Sequence, residues 1–329
     1  MLNKRRYPKL SIRSKNELAK HISSKDLSAK DALALINDVL KNRDRYWKDN
    51  KRSEPEKGKF VRSAIGTPLG KLLGLLNENV LAPHDKLLPP YIFGGVQGLN
   101  HIKAARRLLG VQRKRTLLAL DITTFFEQIH RERVEYFLIN KCGCSKRGAR
   151  LISEICTVPK GAKGSVSSEK TIGRGFATSS RLAVWCNLDT FIALNRFIEK
   201  RLKHADPCMA IYVDDIGITA SRVPIADINK LADEIDNFLY SHDKHQPLPS
   251  KREKRKISTY KEGMYILGSK LERNSLVLGP KTRKKMDKMR ALMKNSTMRP
   301  EERAVARRKY RSLSRYKAQV VTPKPSKVL

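Results

Sequence analysis

Apolar residues recur along the chain with two periods, and the alternation between them predicts the elements. Over residues 13–46 the spacing is helical: Leu27, Ala32, Leu33, Leu35, Ile36 and Leu40 fall on one face, with Ser24 placed to cap the run. Leu69, Leu72, Leu73, Leu75 and Leu76 predict a further amphipathic helix ending near Pro83, and another runs from about Asn100 to Leu109. The run RTLLALDI (115–122) has the pattern of a buried strand that carries Asp121 at its C-terminal end. A helix holding Phe125, Phe126 and Ile129 is predicted to start just after it. Leu182, Trp185, Leu188, Phe191 and Ile192 fit one face of a helix from about Thr178 to Leu202. AIYVD and IGITA read as two strands joined tightly at Asp214 and Asp215. An amphipathic helix over 225–240, a strand pair in YILGSKLERNSLVLG and a helical pattern through Met286, Met289, Leu292 and Met293 follow. Between these elements, WKDNKRSEPEKGKFVR (47–62) reads as an exposed, cation-rich hairpin or loop. Residues 157–175 form a basic, glycine-rich connection, and TPKPSKVL closes the chain as a loose tail.

Charge changes this picture. Lys and Arg number 69 against 32 acids, a formal net charge of +37. A surplus of that size favours a polyanionic partner. A basic structural protein such as a ribosomal one would share it, but long tracts of ordinary globular sequence separate the charge runs. No apolar stretch approaches the length a bilayer span needs, so a membrane is not the expected polyanion. The N-terminal MLNKRRYPKLSIRSK has no apolar core and does not read as a signal peptide. The five cysteines (142, 144, 156, 186 and 208) are odd in number and lack paired C-x-x-C spacing, which favours reduced, intracellular thiols. The last 49 residues alone carry 17 Lys/Arg against 3 Asp/Glu, a basic helical module at the C-terminus.

Against that surplus, AIYVDDIGITA places two adjacent carboxylates in the middle of a β-favouring run. Like charges in a dry site repel, and each costs several kcal/mol to desolvate without a cation. A water-facing turn is one resolution and a divalent metal the other. An Asp-Asp pair alone argues little, since Asp is a common turn residue. A third acid, Asp121, ends an upstream strand, and a Gly/Ser-containing segment opens a helix between the two acidic elements. Phosphoryl transfer to a nucleotide uses two divalent ions about 4 Å apart, one activating the attacking hydroxyl and one holding the leaving pyrophosphate. Carboxylates from neighbouring strands can bridge such a pair.

The block LDITTFFEQI (120–129), then GRGFATSS (173–180) and YVDD (212–215), resembles motifs A, B and C of reverse transcriptases, most closely the bacterial retron and defence-associated enzymes and more distantly those of group II introns. KRKISTYKEGMYILGSKL (254–271) resembles the next two blocks, and YIFGGVQGLNHIKAARRLL (91–109) the glycine-rich segment before motif A. The likeness covers about residues 56–295. It implies an α+β right-hand polymerase fold: an N-terminal helical extension (1–50), fingers (51–110), a palm with an antiparallel sheet (111–275, with a fingers insertion at about 140–175) and a small basic helical thumb and tail (276–329).

Residue by residue, the resemblance implies that Asp121, Asp214 and Asp215 hold two Mg²⁺ ions, with Mn²⁺ as a substitute, and that Asp215 is the more peripheral. The backbone of Ile122 would touch the triphosphate. Phe126 would be the bulky gate that excludes a 2′-hydroxyl; its alternative role is core packing beside Phe125, the role preferred for Phe125 itself. Lys254 aligns with a lysine that assists the departing pyrophosphate, with Lys251 and Lys256 as alternatives. Arg62, near Lys57 and Lys59, is a candidate for gripping the triphosphate. Motif B departs from the family: Arg174-Gly175 stands where Gln-Gly is usual, and Ser179-Ser180 replaces Ser-Pro. Arg174 adds phosphate affinity, and Gly175 is consistent with close backbone approach to a ligand.

The function so implied is RNA-directed DNA synthesis in a bacterial cytoplasm, within a retron or other antiphage defence system. The implied partners are a dedicated noncoding RNA template, the RNA/DNA duplex, dNTPs and a possible separate effector protein. A template-independent or self-primed nucleotidyltransferase, and a non-catalytic RNA-binding protein on the same fold, are the alternatives.

Overall fold

The computed structural model of the chain describes residues 6–110 and 114–321. The expected loose tail, TPKPSKVL, and the first five residues lie outside the described residues. In chain order the elements begin with α1 (Lys15–Ile22), α2 (Ala29–Asn42), β1 (Lys48–Asp49), β2 (Arg62–Ser63), α3 (Pro68–Leu75) and α4 (His101–Arg107). They continue with β3 (Arg115–Asp121), α5 (Arg131–Tyr136), α6 (Lys146–Cys156), β4 (Thr157–Pro159), β5 (Lys170–Ile172), α7 (Ser179–Cys186) and α8 (Leu188–Arg201). The last are β6 (Cys208–Tyr212), β7 (Asp215–Ser221), α9 (Ile225–Ser241), β8 (Lys256–Thr259), β9 (Met264–Ile266), β10 (Ser269–Leu271), β11 (Leu276–Leu278), α10 (Pro280–Lys294) and α11 (Pro300–Val321). Helices and antiparallel sheets alternate irregularly, as expected for an α+β chain.

Contacts divide the chain into two compact units, each assembled from three separate segments. One comprises Met1–Leu99, Ile122–Ala193 and Leu239–Pro249; the other comprises Asn100–Asp121, Leu194–Phe238 and Ser250–Leu329. The cut falls between Asp121 and Ile122 because strand pairing ties β3 to partners a hundred and more residues downstream.

The second unit is built on a four-stranded antiparallel sheet of order β6-β7-β3-β8. β3 is central, and its Leu117, Leu118 and Leu120 are buried, which explains an apolar run without alternation. β7 presses a second layer closely at Gly217, where an added Cβ would meet the Ile266 and Leu108 side chains at 2.5 Å. At the end of β3 remote from its acid, the Arg115 side chain is buried and crosslinks the sheet. It donates to Asp206 Oδ2 (2.5 Å), the Asp206 carbonyl (2.7 Å), Ser221 Oγ (3.1 Å), and the Thr219 carbonyl and hydroxyl. The expected strand pair after Lys256 is instead a three-stranded meander, β9-β10-β11, because Leu267 and Gly268 turn left-handed between the first two strands. The C-terminal helices α10 and α11 pack on each other, and Arg290 stacks on Tyr310 and donates to its hydroxyl at 3.0 Å.

The first unit is mainly helical, with two short hairpins, β1-β2 and β4-β5. Its first helix pair departs from expectation: Ser14 caps α1 and Ser28 caps α2, while Ser24 bridges to Leu27 in the connection. Ser28 has the better local partner, since its hydroxyl accepts from the Asp31 amide and donates to the Asp31 carboxylate. The helix expected directly after Asp121 does not form. Thr124 is left-handed, Thr123 donates its amide to Pro249 at 2.8 Å, and the helix starts only at Arg131. The single helix expected over 178–202 is two, broken at Asn187, whose side chain satisfies the Ala183 carbonyl at 2.9 Å.

Replacing Arg115 by Met keeps bulk but leaves five acceptors without their donor. The variant is expected to lose about 3 kcal/mol of stability, read as a lower urea midpoint. Arg115→Lys should recover only part, because one ammonium cannot reach the set that the guanidinium fork spans.

Candidate active site

The register of the sheet unit places the acids. Asp121 pairs directly with Asp215 across β3 and β7, and Asp215 pairs with Tyr212 across β7 and β6. Residues directly opposite in antiparallel strands share a face, so Tyr212, Asp215 and Asp121 form one row over three strands. Val213 and Asp214 are the two residues of the connecting turn. Val213 has φ of 61°. Positive φ at the first turn position belongs to a type II′ hairpin, where glycine is the usual occupant. A β-branched residue there costs of order 1–3 kcal/mol, and such strain persists only where the surroundings fix it.

Part of that fixing comes from aromatic contacts. His101, at the start of α4, meets Tyr212 edge-on at 6.0 Å and stacks on Tyr316 of α11 at 5.4 Å, with its Nε2 3.2 Å from the Tyr316 hydroxyl. Arg106, on the same short helix, donates to the Gln319 carbonyl at 2.5 Å. Tyr212, the last residue before the turn, is thus tied through one histidine to the basic C-terminal helix. Sequence reasoning missed His101 and Tyr316. Only the position of His101 in the glycine-rich segment before motif A could have flagged it.

Lys254 is where the sequence put it. Its Nζ lies 3.0 Å from Asp121 Oδ2, and the Lys251 amide donates to the Asp121 carbonyl at 2.9 Å. The Asp215 carboxyl is pushed up to about 7 by burial, then by the neighbouring Asp214 and Asp121 charges, with Lys254 opposing. Among the described residues, no group of three or more His, Cys, Asp or Glu side chains stands ready-made around a metal position. The donor chemistry nonetheless suits a hard divalent cation: three carboxylates, one of them pushed up by burial and by its acidic neighbours. Asp121, Asp214 and Asp215 would hold it.

The remaining candidates lie in the other unit. Ile122 has its side chain buried, leaving only backbone to meet a ligand. Phe125 is fully buried against Phe191, as preferred from sequence, while Phe126 is half-buried and edge-on to Phe125 at 5.9 Å. The Arg174 guanidinium lies over the Phe126 ring at 4.9 Å. Its Nε is 3.3 Å from Glu127 Oε1, but the two are not hydrogen-bonded, and both Glu127 oxygens are buried without a hydrogen-bond partner. Glu127 was missed: it stands beside Phe126 in LDITTFFEQI, and only the arginine at 174 hints that an acid is needed.

Gly175 has an internal reason. At φ of 97° it lies against β2, where an added Cβ would sit 2.5 Å from the Arg62 carbonyl. The Arg62 amide in turn donates to the Arg174 carbonyl at 2.6 Å. Arg62 itself is 4 % exposed rather than part of an exposed loop. Its guanidinium pairs with Asp49, donates to the Gly161 carbonyl and rests on Trp47 and Phe60, each at 5.1 Å. That commitment is at odds with a free triphosphate grip. Lys48, Lys51, Arg52 and Lys57 are exposed on this hairpin, and Lys57 and Lys59 both turn to Glu54. Arg62, Glu127 and Arg174, with Lys57, Lys160 and His130, line a small cavity of about 220 Å³.

No family model matches the chain. Over 181 residues it is 24% identical to the retron Ec48 reverse transcriptase of Escherichia coli, a match covering 52% of this chain and 39% of the relative. The likeness is to a bacterial retron reverse transcriptase. The chain spans about two-fifths of that curated relative's length. Among solved structures, telomerase from Candida albicans in complex with a TWJ fragment of telomeric RNA aligns at a TM-score of 0.41. The identity there is 11%, over 78% of this chain and 48% of that one.

The perturbed acid gives a pH test. A carboxyl whose folded pKa is raised favours the fold below the unfolded value and loses that advantage as pH rises through the folded one. Metal-free protein is therefore expected to lose stability between about pH 4 and pH 7. Asp215→Asn should flatten that slope, and ¹³C-resolved titration of the Asp215 carboxyl should give a midpoint near 7 that falls when Mg²⁺ is added. An Asp215 midpoint near 4 without metal would refute the assignment.

Proposed function

We propose that the chain is an RNA-directed DNA polymerase, a reverse transcriptase of the bacterial retron type, copying a dedicated RNA into DNA within a retron or other antiphage defence system. The observation that carries the reading is the carboxylate row. Asp121 and Asp215 face each other in register, Asp214 sits at a strained turn between the strands, and Lys254 lies on Asp121. Supporting it are the retron enzyme's sequence likeness and a net charge suited to a nucleic-acid partner.

In this reading Asp121, Asp214 and Asp215 hold two divalent ions, Mg²⁺ with Mn²⁺ as substitute. When bound, the ions would lower the pKa of the primer's 3′-hydroxyl and stabilise charge on the departing pyrophosphate. The chain's own groups do the rest. Burial around Asp215 raises the demand for cations at the row. Lys254, its ammonium half exposed beside Asp121, is placed to protonate or neutralise a leaving phosphate oxygen. Phe126 acts as the sugar gate, with Arg174 over its ring fixing the ring's tilt. Ile122 offers backbone to the triphosphate, and Arg62 and Gly175 hold the segments that carry these groups. dNTPs, the noncoding RNA and its RNA/DNA duplex are the substrates. The effector of the defence system is a separate protein, and the site of action is the bacterial cytoplasm.

Primer extension on an RNA template with dNTPs and Mg²⁺ tests the carboxylates. Asp214→Asn should abolish extension while RNA binding persists, and activity within a few-fold of wild type would sink the assignment. Phe126→Ala should admit ribonucleotides by opening space for the 2′-hydroxyl. Unchanged dNTP/rNTP selectivity in a folded variant would return Phe126 to the core.

A further inference from the structure

We propose that the open cleft at the end of the four-stranded sheet opposite the acids is an RNA-anchoring surface, gripping phosphodiesters of a segment that is not being copied. The cleft, about 630 Å³, lies wholly within the sheet unit. It is formed by the end of α8, the 202–205 connection, the loop leaving β7 and the first turns of α9. β7 runs from Asp215 to Ser221, so the two ends of the sheet are roughly 20 Å apart along the strand. A phosphate seated in this cleft is therefore not the one at the carboxylate row.

Its charge is unbalanced. Lys200, Lys203, Arg222 and Lys230 line it, and none has a side-chain hydrogen bond or ion pair among the described residues. Arg201 also lines it but is neutralised by Glu234, to which its Nε donates at 2.7 Å. Asp227 is the one lining acid, and His204 adds charge only when protonated. Against the single lining acid Asp227, four cations without an ion pair leave the concavity strongly net positive.

The cleft is also held in shape. Arg222 is left-handed at φ of 58°, with its amide donated to the Lys114 carbonyl at 3.0 Å, and Asp206 beside the cleft is left-handed at 44°. The buried Arg115 grips both Asp206 and Ser221. A rigid base with cations spread over three segments suits a polymer with charge at regular intervals better than a single small anion. Lysines acting as point charges suit a phosphate backbone without base readout.

This inference rests on the reading of the chain as an enzyme of RNA, and its test separates the two. The full-length variant K200Q/K203Q/R222Q/K230Q is compared with wild type in salt-titrated binding to a long structured RNA and in extension of a short primer–template. Each phosphate contact contributes about 0.7–0.9 to the slope of log affinity against log salt, so full use of the four cations lowers it by about 3. Extension of the short primer–template should stay within a few-fold of wild type. If the fourfold variant misfolds, K200Q/K203Q/K230Q spares the left-handed backbone at Arg222 and should lower the slope by about 2. An unchanged slope overturns the proposal and leaves the cleft to an acidic protein. An equal loss on the short primer–template also overturns it, since the cations would then serve the copied duplex. If wild type extends no primer but the slope still falls, the polymerase reading fails while the RNA surface stands.

Discussion

Carboxylate repulsion at one end of a sheet governs the sheet unit. Directly opposed residues in antiparallel strands have Cβ atoms about 5 Å apart, and like charges there destabilise the pairing. Asp121 and Asp215 are so opposed, with Asp214 beside Asp215 in the chain; all three are half-buried, and burial strips Asp215 of part of the water that would screen it. The unit answers with one ammonium, Lys254, and with backbone that ties Asp121 into the following segment. Burial is the main reason for the high pKa of Asp215, and the neighbouring Asp214 and Asp121 charges, met by one ammonium, add to it. A fold that needed only to be stable would have no reason to keep this arrangement, because apolar residues at the same positions would cost nothing to desolvate.

The same sheet carries its positive charge at the other end. Arg115 lies six residues back from Asp121 along the ladder, on the same face of β3, and its guanidinium makes six hydrogen bonds to five acceptors. Cation and anion ends are thus separated along one rigid ladder, and the strands between them are apolar. The strained turn at Val213 fits this division. The residue before it is held by His101, which is stacked in turn on Tyr316, so the turn is supported from α4 and α11. Support from two helices is what allows a valine to occupy a conformation that glycine would take freely.

Much of this was legible in the chain. β3, β6 and β7 and their three acids follow from apolar runs ending in Asp, because a strand buried on both faces has few other sequences open to it. Lys254 was picked out by resemblance, and its ammonium lies beside Asp121; its part in the reaction is a proposal. What the sequence hid depends on non-local packing. Thr123 gives its amide to Pro249, more than a hundred residues away, so the helix expected after Asp121 cannot start there. Ser24 and Ser28 look alike as caps, and only the Asp31 interaction decides between them. Arg62 sits in a stretch whose composition reads as exposed, yet Trp47, Phe60 and Asp49 enclose it. The glycine at 175 was legible as a close approach, and the structure places the Arg62 backbone against it.

Arg174 is the sharpest departure from the family pattern, and its surroundings decide what it means. A free arginine in place of glutamine would bring a mobile charge to motif B and favour contacts to phosphate over contacts to a templating base. Here the guanidinium is spread over the Phe126 ring with Glu127 at 3.3 Å, and its side chain is only 14 % exposed. The charge is met by an acid from the same motif A block, and the planar group covers the aromatic face. Arginine and glutamate therefore act as a compensated pair, neutral as a unit, as the usual glutamine is. The charge that Arg174 brings to motif B is thus balanced by Glu127 from the motif A block.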